Sequence, residues 1–232
     1  PIGVYTKVQK EANMLIEEFM LLANRRVAEY CAYRLSNGRR VARPMVFRVH
    51  DEPSEDKLER FREFALRFGH YFKAQKGRAV AKEMNKLLNT IAGSAEQNAI
   101  TTLAVRSMAK AVYTTDNIGH YGLAFPYYTH FTSPIRRYPD MMVHRLLAAY
   151  LDGEKRADKK KLEELCVHST EREIVASEAE RASIKYKMAE FMRDCIGEEF
   201  DGVVSGLTEW GVYVELNDTH VEGMAFLRDI DE

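Results

Sequence analysis

The chain has 232 residues, of which 46% are hydrophobic and 30% are charged, a composition that supports a packed core and excludes global disorder. Its 34 lysine and arginine residues nearly balance 35 aspartate and glutamate residues, so a nucleic-acid site would have to be a local patch. Three cysteines without paired spacing argue against a disulfide scaffold or zinc site and predict a cytoplasmic protein, and no apolar run approaches the roughly 20 residues that cross a bilayer.

The pattern of apolar residues predicts a mostly helical first part. Leu15, Phe19 and Leu22 recur at helical spacing within a helix predicted at 10–35, and the sequence SNG at 36–38 predicts its end. Because the first residues run within a dozen positions into this helix, we expect the chain to begin inside a longer protein. A strand with alternating polarity is predicted at 44–53. Further helices are predicted from Ser54 as N-cap, at 79–91, at 95–112, at 141–153, and as one or two charged helices at 159–194.

The pattern changes from Ile196 onward to short strands separated by glycines. Val212 and Val214 face one side of a predicted strand, whereas Tyr213 and Glu215 face the other. This segment is too short for the five strands of an OB-fold barrel. The sequence therefore predicts an α+β fold with a helical part and a small, incomplete β unit.

The sequence THFTSPIRRYPD at 129–140 places Arg136 and Arg137 between two prolines. Thr132 and Ser133 are residue types that cap helices, and the proline after them suits a first helical position. Free N–H groups at a helix start attract anions, and two guanidinium groups beside them suggest a phosphate ligand.

Six of the 18 residues at 121–138 are aromatic, although the composition of the chain would give about two. Aromatic rings beside arginines are typical of channels for single-stranded nucleic acid, because bases stack on the rings and cations follow the backbone. Two alternatives remain open. The rings can belong to the core, and Arg136, Asp140 and His144, spaced by four, can form one structural ladder of ion pairs and hydrogen bonds.

The sequence GHYGLAFPYYTHFTSPIRRYPDMMVHRLL resembles the signature of the ribonuclease II/ribonuclease R family of processive 3′→5′ exoribonucleases. The helix and the strand that precede this signature in the family resemble MLIEEFMLLANRRVAEY and FRVHDEPSEDKLERF. The sequence of these segments is closer to the ribonuclease R branch of the family. The last segment resembles the OB-fold RNA-binding module that follows the catalytic domain. The resemblance implies the C-terminal part of an RNB-type catalytic domain at 1–194 and a truncated OB-fold domain at 195–232.

The resemblance also implies a reaction, namely stepwise hydrolysis of single-stranded RNA to nucleoside 5′-monophosphates with the help of Mg²⁺. It implies catalytic roles for Arg136 at the scissile phosphate and for Glu17 near the 3′-terminal nucleotide, although solvent exposure is the ordinary fate of such a glutamate. It implies RNA contacts by Asn24, Tyr127, Tyr128, His130, Thr132, Ser133, Arg137, Tyr138, Phe200, Trp210 and Tyr213.

Family members take their metal ligands from an aspartate cluster upstream of all the residues present here. The resemblance therefore implies no metal ligand in this chain, a missing N-terminal part of the same polypeptide as partner, and no cleavage of RNA by these 232 residues alone. Two other functions remain open. One is a non-catalytic single-stranded RNA-binding or regulatory protein, and the other is a helical scaffold in which Arg136 is purely structural.

Overall fold

The computed structural model describes residues 8–74, 77–94, 96–153 and 157–230, so both chain ends lie outside the described residues. The described residues form an α+β fold, which confirms the predicted fold class. The helices are α1 (Glu11–Ala32), α2 (Glu55–Arg67), α3 (Arg78–Thr90), α4 (Gln97–Ser107), α5 (Tyr138–Leu151) and α6 (Lys159–Met192). The strands are β1 (Tyr33–Ser36), β2 (Arg39–Ala42), β3 (Phe47–Val49), β4 (Val112–Thr114), β5 (Gly202–Leu207), β6 (Gly211–Leu216) and β7 (Glu222–Phe226). No helix in these ranges is both long and apolar enough to cross a membrane.

Helix α1 leads directly into a two-stranded hairpin formed by β1 and β2. Asn37 and Gly38 have φ angles of 50° and 75°, and positive values at both positions are typical of the two-residue turn that favours Asn-Gly. The prediction that helix α1 extends to residue 35 was therefore wrong, since SNG forms the turn of a hairpin and the helix ends at Ala32.

The first part of the core lies where the end of α1, the β3–β4 pair, α5 and the start of α6 meet. Cys31, Val46, Val143 and Cys166 are fully buried there. β3 and β4 are antiparallel, with Arg48 opposite Tyr113. The carboxylate of Glu163 helps to fix helix α6 to the end of β4. Glu163 accepts hydrogen bonds from the Thr114 hydroxyl at 2.9 Å and from the Thr115 backbone N–H at 2.6 Å.

A second part of the core joins α2, α3 and α4 through buried residues such as Phe61, Met84 and Ile100. Ser54 immediately precedes α2, as predicted. The helix predicted at 95–112 was wrong at its end, because α4 stops at Ser107 and residues from Val112 onward pair with β3. The strand predicted at 44–53 is likewise shorter, with regular pairing only over Phe47–Val49.

The last segment is an antiparallel meander in the order β5-β6-β7, which is not closed into a barrel. The register confirms the predicted alternation, with Tyr213 opposite Met224 and Val214 opposite Gly223. Val214 and Leu216 line a hollow together with Met188 and Met192 of α6. The division of the chain into domains at residues 194 and 195, and the identity of the meander as the start of an OB-fold, stay predictions.

Candidate functional site

An open groove with a volume of about 940 Å³ runs past the start of α5 and along α6. Arg136, Arg137 and Tyr138 line it from the turn that precedes α5 and from the first residue of α5. Residues 110–113, which lead into and include part of β4, line it as well, together with residues of α6 between 168 and 181. Three parts of the chain that are distant in sequence therefore meet at one concave surface.

The groove carries an excess of positive charge. Its lining includes two acidic residues, Glu173 and Glu180, and six lysine or arginine residues. The six are Arg48, Lys110, Arg136, Arg137, Arg172 and Arg181. Because the whole chain has a net charge of −1, this local excess is the kind of patch that attracts a polyanion.

Arg136 lies in the turn before α5, where its backbone N–H donates to the carbonyl of Ser133 at 3.3 Å. Its side chain is exposed and lines the groove. Within the described part of the chain, no carboxylate forms an ion pair with it. The guanidinium group is therefore available to an external anion.

Arg137, the next residue, has a structural partner. Its Nη2 donates to Oδ2 of Asp140 at 2.9 Å, and the same oxygen accepts the backbone N–H of Ser133 at 2.7 Å. Asp140 is fully buried, and the Arg137 side chain is 19% exposed. The alternative of a ladder of Arg136, Asp140 and His144 is therefore not found, because the arginine paired with Asp140 is Arg137.

His144 has a different environment from the one that the ladder predicted. Its ring stacks on Phe131 with the ring centroids 4.0 Å apart. Its Nε2 lies 2.9 Å from the carbonyl oxygen of Phe131. His144 thus fixes the chain just before the arginine pair and does not contact Asp140 in the way that the ladder required.

His130 and Tyr113 form a hydrogen-bonded pair beside the groove, with 2.7 Å between Nδ1 and the phenol oxygen. Burial, supported by the charges of Arg137 and Arg48, lowers the pKa of His130 to about 3. The imidazole is therefore neutral near pH 7, and its Nδ1 shares a hydrogen bond with the Tyr113 hydroxyl. The guanidinium of Arg48 lies 4.5 Å from the centre of the Tyr113 ring. His130 is thus held in place, and it does not serve as a protonated general acid at neutral pH.

Asn24 joins α1 to the segment that carries the motif. Its Nδ2 donates to the hydroxyl of Tyr128 at 3.1 Å, and its Oδ1 accepts the backbone N–H of Phe131 at 3.0 Å. Asn24 and Tyr128 are 3% and 5% exposed. The prediction that these two side chains contact RNA is therefore not supported by their position, because both are buried and engaged with each other.

The remaining predicted residues are only partly brought together. Tyr138 is half exposed and lines the groove, whereas Tyr127 packs edge-on against Tyr33, with ring centroids 5.3 Å apart, at a separate hollow. Glu17 is exposed, accepts a hydrogen bond from Gln9 Nε2 at 2.9 Å and does not line the groove. The backbone N–H of Ser133 is taken by Asp140, and the Thr132 hydroxyl is buried beside it.

Phe200 precedes β5, Trp210 and Tyr213 lie within the β5–β7 meander, and none of the three lines the groove. Trp210 is 73% exposed and Phe200 is 42% exposed, so both rings are accessible to a ligand. Their role as a stacking platform stays a prediction.

The groove also contains cations that sequence reasoning missed, namely Arg48, Lys110, Arg172 and Arg181. Arg48 reaches it through the strand register that places it opposite Tyr113, 65 positions later in the chain. Helix α6 carries charged residues on every side, so its sequence alone does not indicate which of them face a ligand. Only the packing of α6 against β4 selects them.

The described residues contain no group of three or more histidine, cysteine, aspartate or glutamate side chains arranged to hold a metal ion. They do not fit the Mg²⁺ site that the resemblance implies for the complete enzyme.

Comparison with known proteins gives a consistent result. The model of the RNB domain matches residues 1–153. Ribonuclease R 1 of Lactococcus lactis is 37% identical over 99% of this chain and 28% of its own length. Ribonuclease R of Aquifex aeolicus is 37% identical over the whole of this chain and 32% of its own length. The chain thus spans about a third of the length of the relatives that it matches.

Solved structures show the same similarity. Mycoplasma genitalium RNase R in complex with ribose-methylated single-stranded RNA superposes with a TM-score of 0.82 at 26% identity, over 97% of this chain and 35% of that one. Yeast Ssd1, described as a pseudonuclease, superposes with a TM-score of 0.73 at 26% identity, over 94% of this chain and 27% of its own.

Proposed function

Since the chain belongs to the RNB domain family, that of 3′→5′ exoribonucleases such as ribonuclease R, we propose that it is the part of such an enzyme that holds single-stranded RNA for hydrolysis. The complete cytoplasmic enzyme would shorten RNA processively to nucleoside 5′-monophosphates in a metal-assisted reaction. The observation that carries the proposal is the exposed guanidinium of Arg136, which lines a positively charged groove and has no acidic partner among the described residues.

The proposed role of Arg136 is electrostatic. When a phosphodiester is cleaved, negative charge grows on the oxygens of the phosphate, and an arginine held beside them stabilises the transition state more than the ground state. Arginines in this position contribute ~10³–10⁵ to the rate of phosphoryl transfer, or roughly 4–7 kcal/mol of barrier. Arg137 supports this role by fixing the turn through its bond to Asp140.

A test compares Arg136→Ala and Arg136→Lys with the wild type in the full-length protein. We expect Arg136→Ala to lower the single-turnover cleavage rate of a 5′-labelled single-stranded RNA by about 10³ or more. Lysine, a point charge without the planar fork, should restore only part of it. Arg60→Ala removes an exposed arginine of α2 that does not line the groove and serves as the control. A rate for Arg136→Ala within threefold of the wild type would exclude the proposed role.

A second function is supported by one specific observation, the similarity to a protein described as a pseudonuclease. The same groove would then bind single-stranded RNA without cleaving it, as part of a regulatory protein. Cleavage distinguishes the two functions. If the full-length protein binds RNA with an affinity that depends on Arg136, yet releases no mononucleotide when Mg²⁺ is present, the non-catalytic function is favoured.

A further inference from the structure

The β1–β2 hairpin and the end of α1 contain a cluster of arginines that do not line the groove. Residues 24–43 contain six arginines and a single acidic residue, Glu29. Arg25 and Arg26 both pair with Glu29, at 2.8 and 3.0 Å. The other four arginines lie on or next to the hairpin: Arg34, Arg39, Arg40 and Arg43.

The base of the hairpin is held firmly to α1. The Arg43 guanidinium donates to the carbonyls of Tyr30 at 2.6 Å and Cys31 at 3.1 Å, and it lies 4.1 Å from the centre of the Tyr150 ring. Arg43 is thus structural. Arg39 and Arg40 are exposed, Arg34 is partly exposed, and within the described residues none of the three forms an ion pair. Three cations therefore face solvent from a fixed support.

Aromatic rings accompany Arg34 and Arg40 around a hollow of about 710 Å³, here called the hairpin pocket, and Arg39 precedes Arg40 at the end of the hairpin. Arg40 lies 5.1 Å from the centre of the Tyr33 ring, and Tyr33 packs edge-on against Tyr127. Tyr30 lines the same hollow and is 50% exposed. Accessible rings next to unpaired guanidinium groups can hold a base by stacking and a phosphate by charge.

The hairpin pocket is separate from the groove, since no residue lines both. The strand register explains the separation. On β3, Arg48 points to the face that carries Tyr113 and the groove, whereas the neighbouring Phe47 points to the opposite face and contacts Tyr127. A ligand at the pocket would therefore contact the protein outside the groove that holds the reacting phosphate.

We propose that the hairpin pocket is a second binding site for single-stranded RNA. In this site Arg34 and Arg40 of the lining, with Arg39 at the neighbouring end of the hairpin, contact phosphates, and Tyr30 stacks on a base. This inference rests on the proposed function, because it assumes that RNA is the ligand of the protein. The site holds a part of the strand remote from the cleaved bond. It raises the affinity for long RNA without taking part in the chemistry.

The test uses the full-length protein and a triple variant, Arg34→Ala with Arg39→Ala and Arg40→Ala. Its matched control removes three exposed cations of α2, Lys57→Ala with Arg60→Ala and Arg67→Ala. Binding of a labelled 24-nucleotide oligouridylate is followed by fluorescence anisotropy at several salt concentrations without divalent metal. We expect the hairpin triple variant to reduce the slope of log K against log salt by about 2, since each phosphate contact contributes about 0.7. The control should leave the slope nearly unchanged.

Two further measurements isolate the site. Tyr30→Ala should weaken binding of the 24-nucleotide RNA by at least about fivefold, the low end for loss of one stacked base. The cleavage rate of a saturating 5-nucleotide RNA should be unchanged in the triple variant and strongly reduced by Arg136→Ala.

The outcomes separate the two proposals. An unchanged slope and affinity in the triple variant, with Arg136→Ala still impairing cleavage, would overturn the second site alone. Failure of Arg136→Ala to impair cleavage would overturn the proposed function instead. Equal losses on a blunt 24-base-pair duplex, with no effect of Tyr30→Ala, would overturn recognition of a single strand, because stacking requires unpaired bases.

Discussion

Removal of the Asp140 carboxylate tests whether the two adjacent arginines have different roles. Asp140 is fully buried and accepts hydrogen bonds from Arg137 and from the backbone of Ser133. Asp140→Ala would leave a largely buried guanidinium and a backbone N–H without their partner. Breaking a buried pair in this way costs about 3–5 kcal/mol. Because Arg137 keeps 19% of its side chain exposed, we expect the lower end, about 3 kcal/mol.

Urea titrations followed by circular dichroism measure the loss in the free energy of unfolding. Arg137→Ala should also destabilise the protein, and a double-mutant cycle with Asp140→Ala should show a coupling of at least about 1 kcal/mol. Arg136→Ala is the matched control, and its exposed side chain should change stability by no more than about 0.5 kcal/mol. The reasoning fails if Asp140→Ala costs less than about 1 kcal/mol, or if Arg136→Ala is as destabilising as Arg137→Ala.

Three further predictions concern the surroundings of the groove. Because burial lowers the pKa of His130 from 6.5 to about 3, the folded state binds fewer protons than the unfolded state between these values. The free energy of unfolding should therefore fall as the pH drops from about 6.5, by at most about 1.4 kcal/mol per pH unit for this group. Urea titrations at pH 7, 6 and 5 measure this dependence, and His130→Gln should flatten it. Asn24→Ala should cost about 2 kcal/mol, because it leaves the Phe131 N–H unpaired, whereas Asn13→Ala at the exposed start of α1 should cost about half as much or less. The 232-residue polypeptide, incubated with single-stranded RNA and Mg²⁺, should release no nucleoside 5′-monophosphate in a chromatographic assay, because its described residues hold no group of side chains arranged to bind a metal ion; release would contradict this.

The sequence predicted those parts of the fold that depend on local patterns. Ser54 correctly indicated the start of α2, and the alternation around Tyr213 correctly indicated a strand. The β1–β2 hairpin was missed because SNG ends helices as well as forming turns, and only the pairing of Tyr33–Ser36 with Arg39–Ala42 decides between the two. Pairing of β3 with β4 depends on residues far apart in the chain, so no local pattern could place Val112 in a strand.

The candidate site shows the same division between local and distant information. The arginine motif was recognisable from its sequence, but the burial of Asn24 was not, because its hydrogen-bond partner Tyr128 lies 104 positions away. A polar residue on an otherwise apolar helix is compatible with exposure, with a ligand or with a buried partner. Tertiary packing gave Asn24 a buried partner and left Glu17 exposed.

The packing around Asp140 explains why two guanidinium groups are tolerated at the start of a helix. The N-terminus of α5 carries partial positive charge, which disfavours nearby cations. Asp140 lies in the first turn of α5, where a carboxylate is favoured, and it binds both Arg137 and the preceding backbone. The positive charge of Arg137 is thereby compensated inside the protein. Arg136 remains exposed to water, where an unpaired charge costs little, and that low cost allows it to stay free for a phosphate.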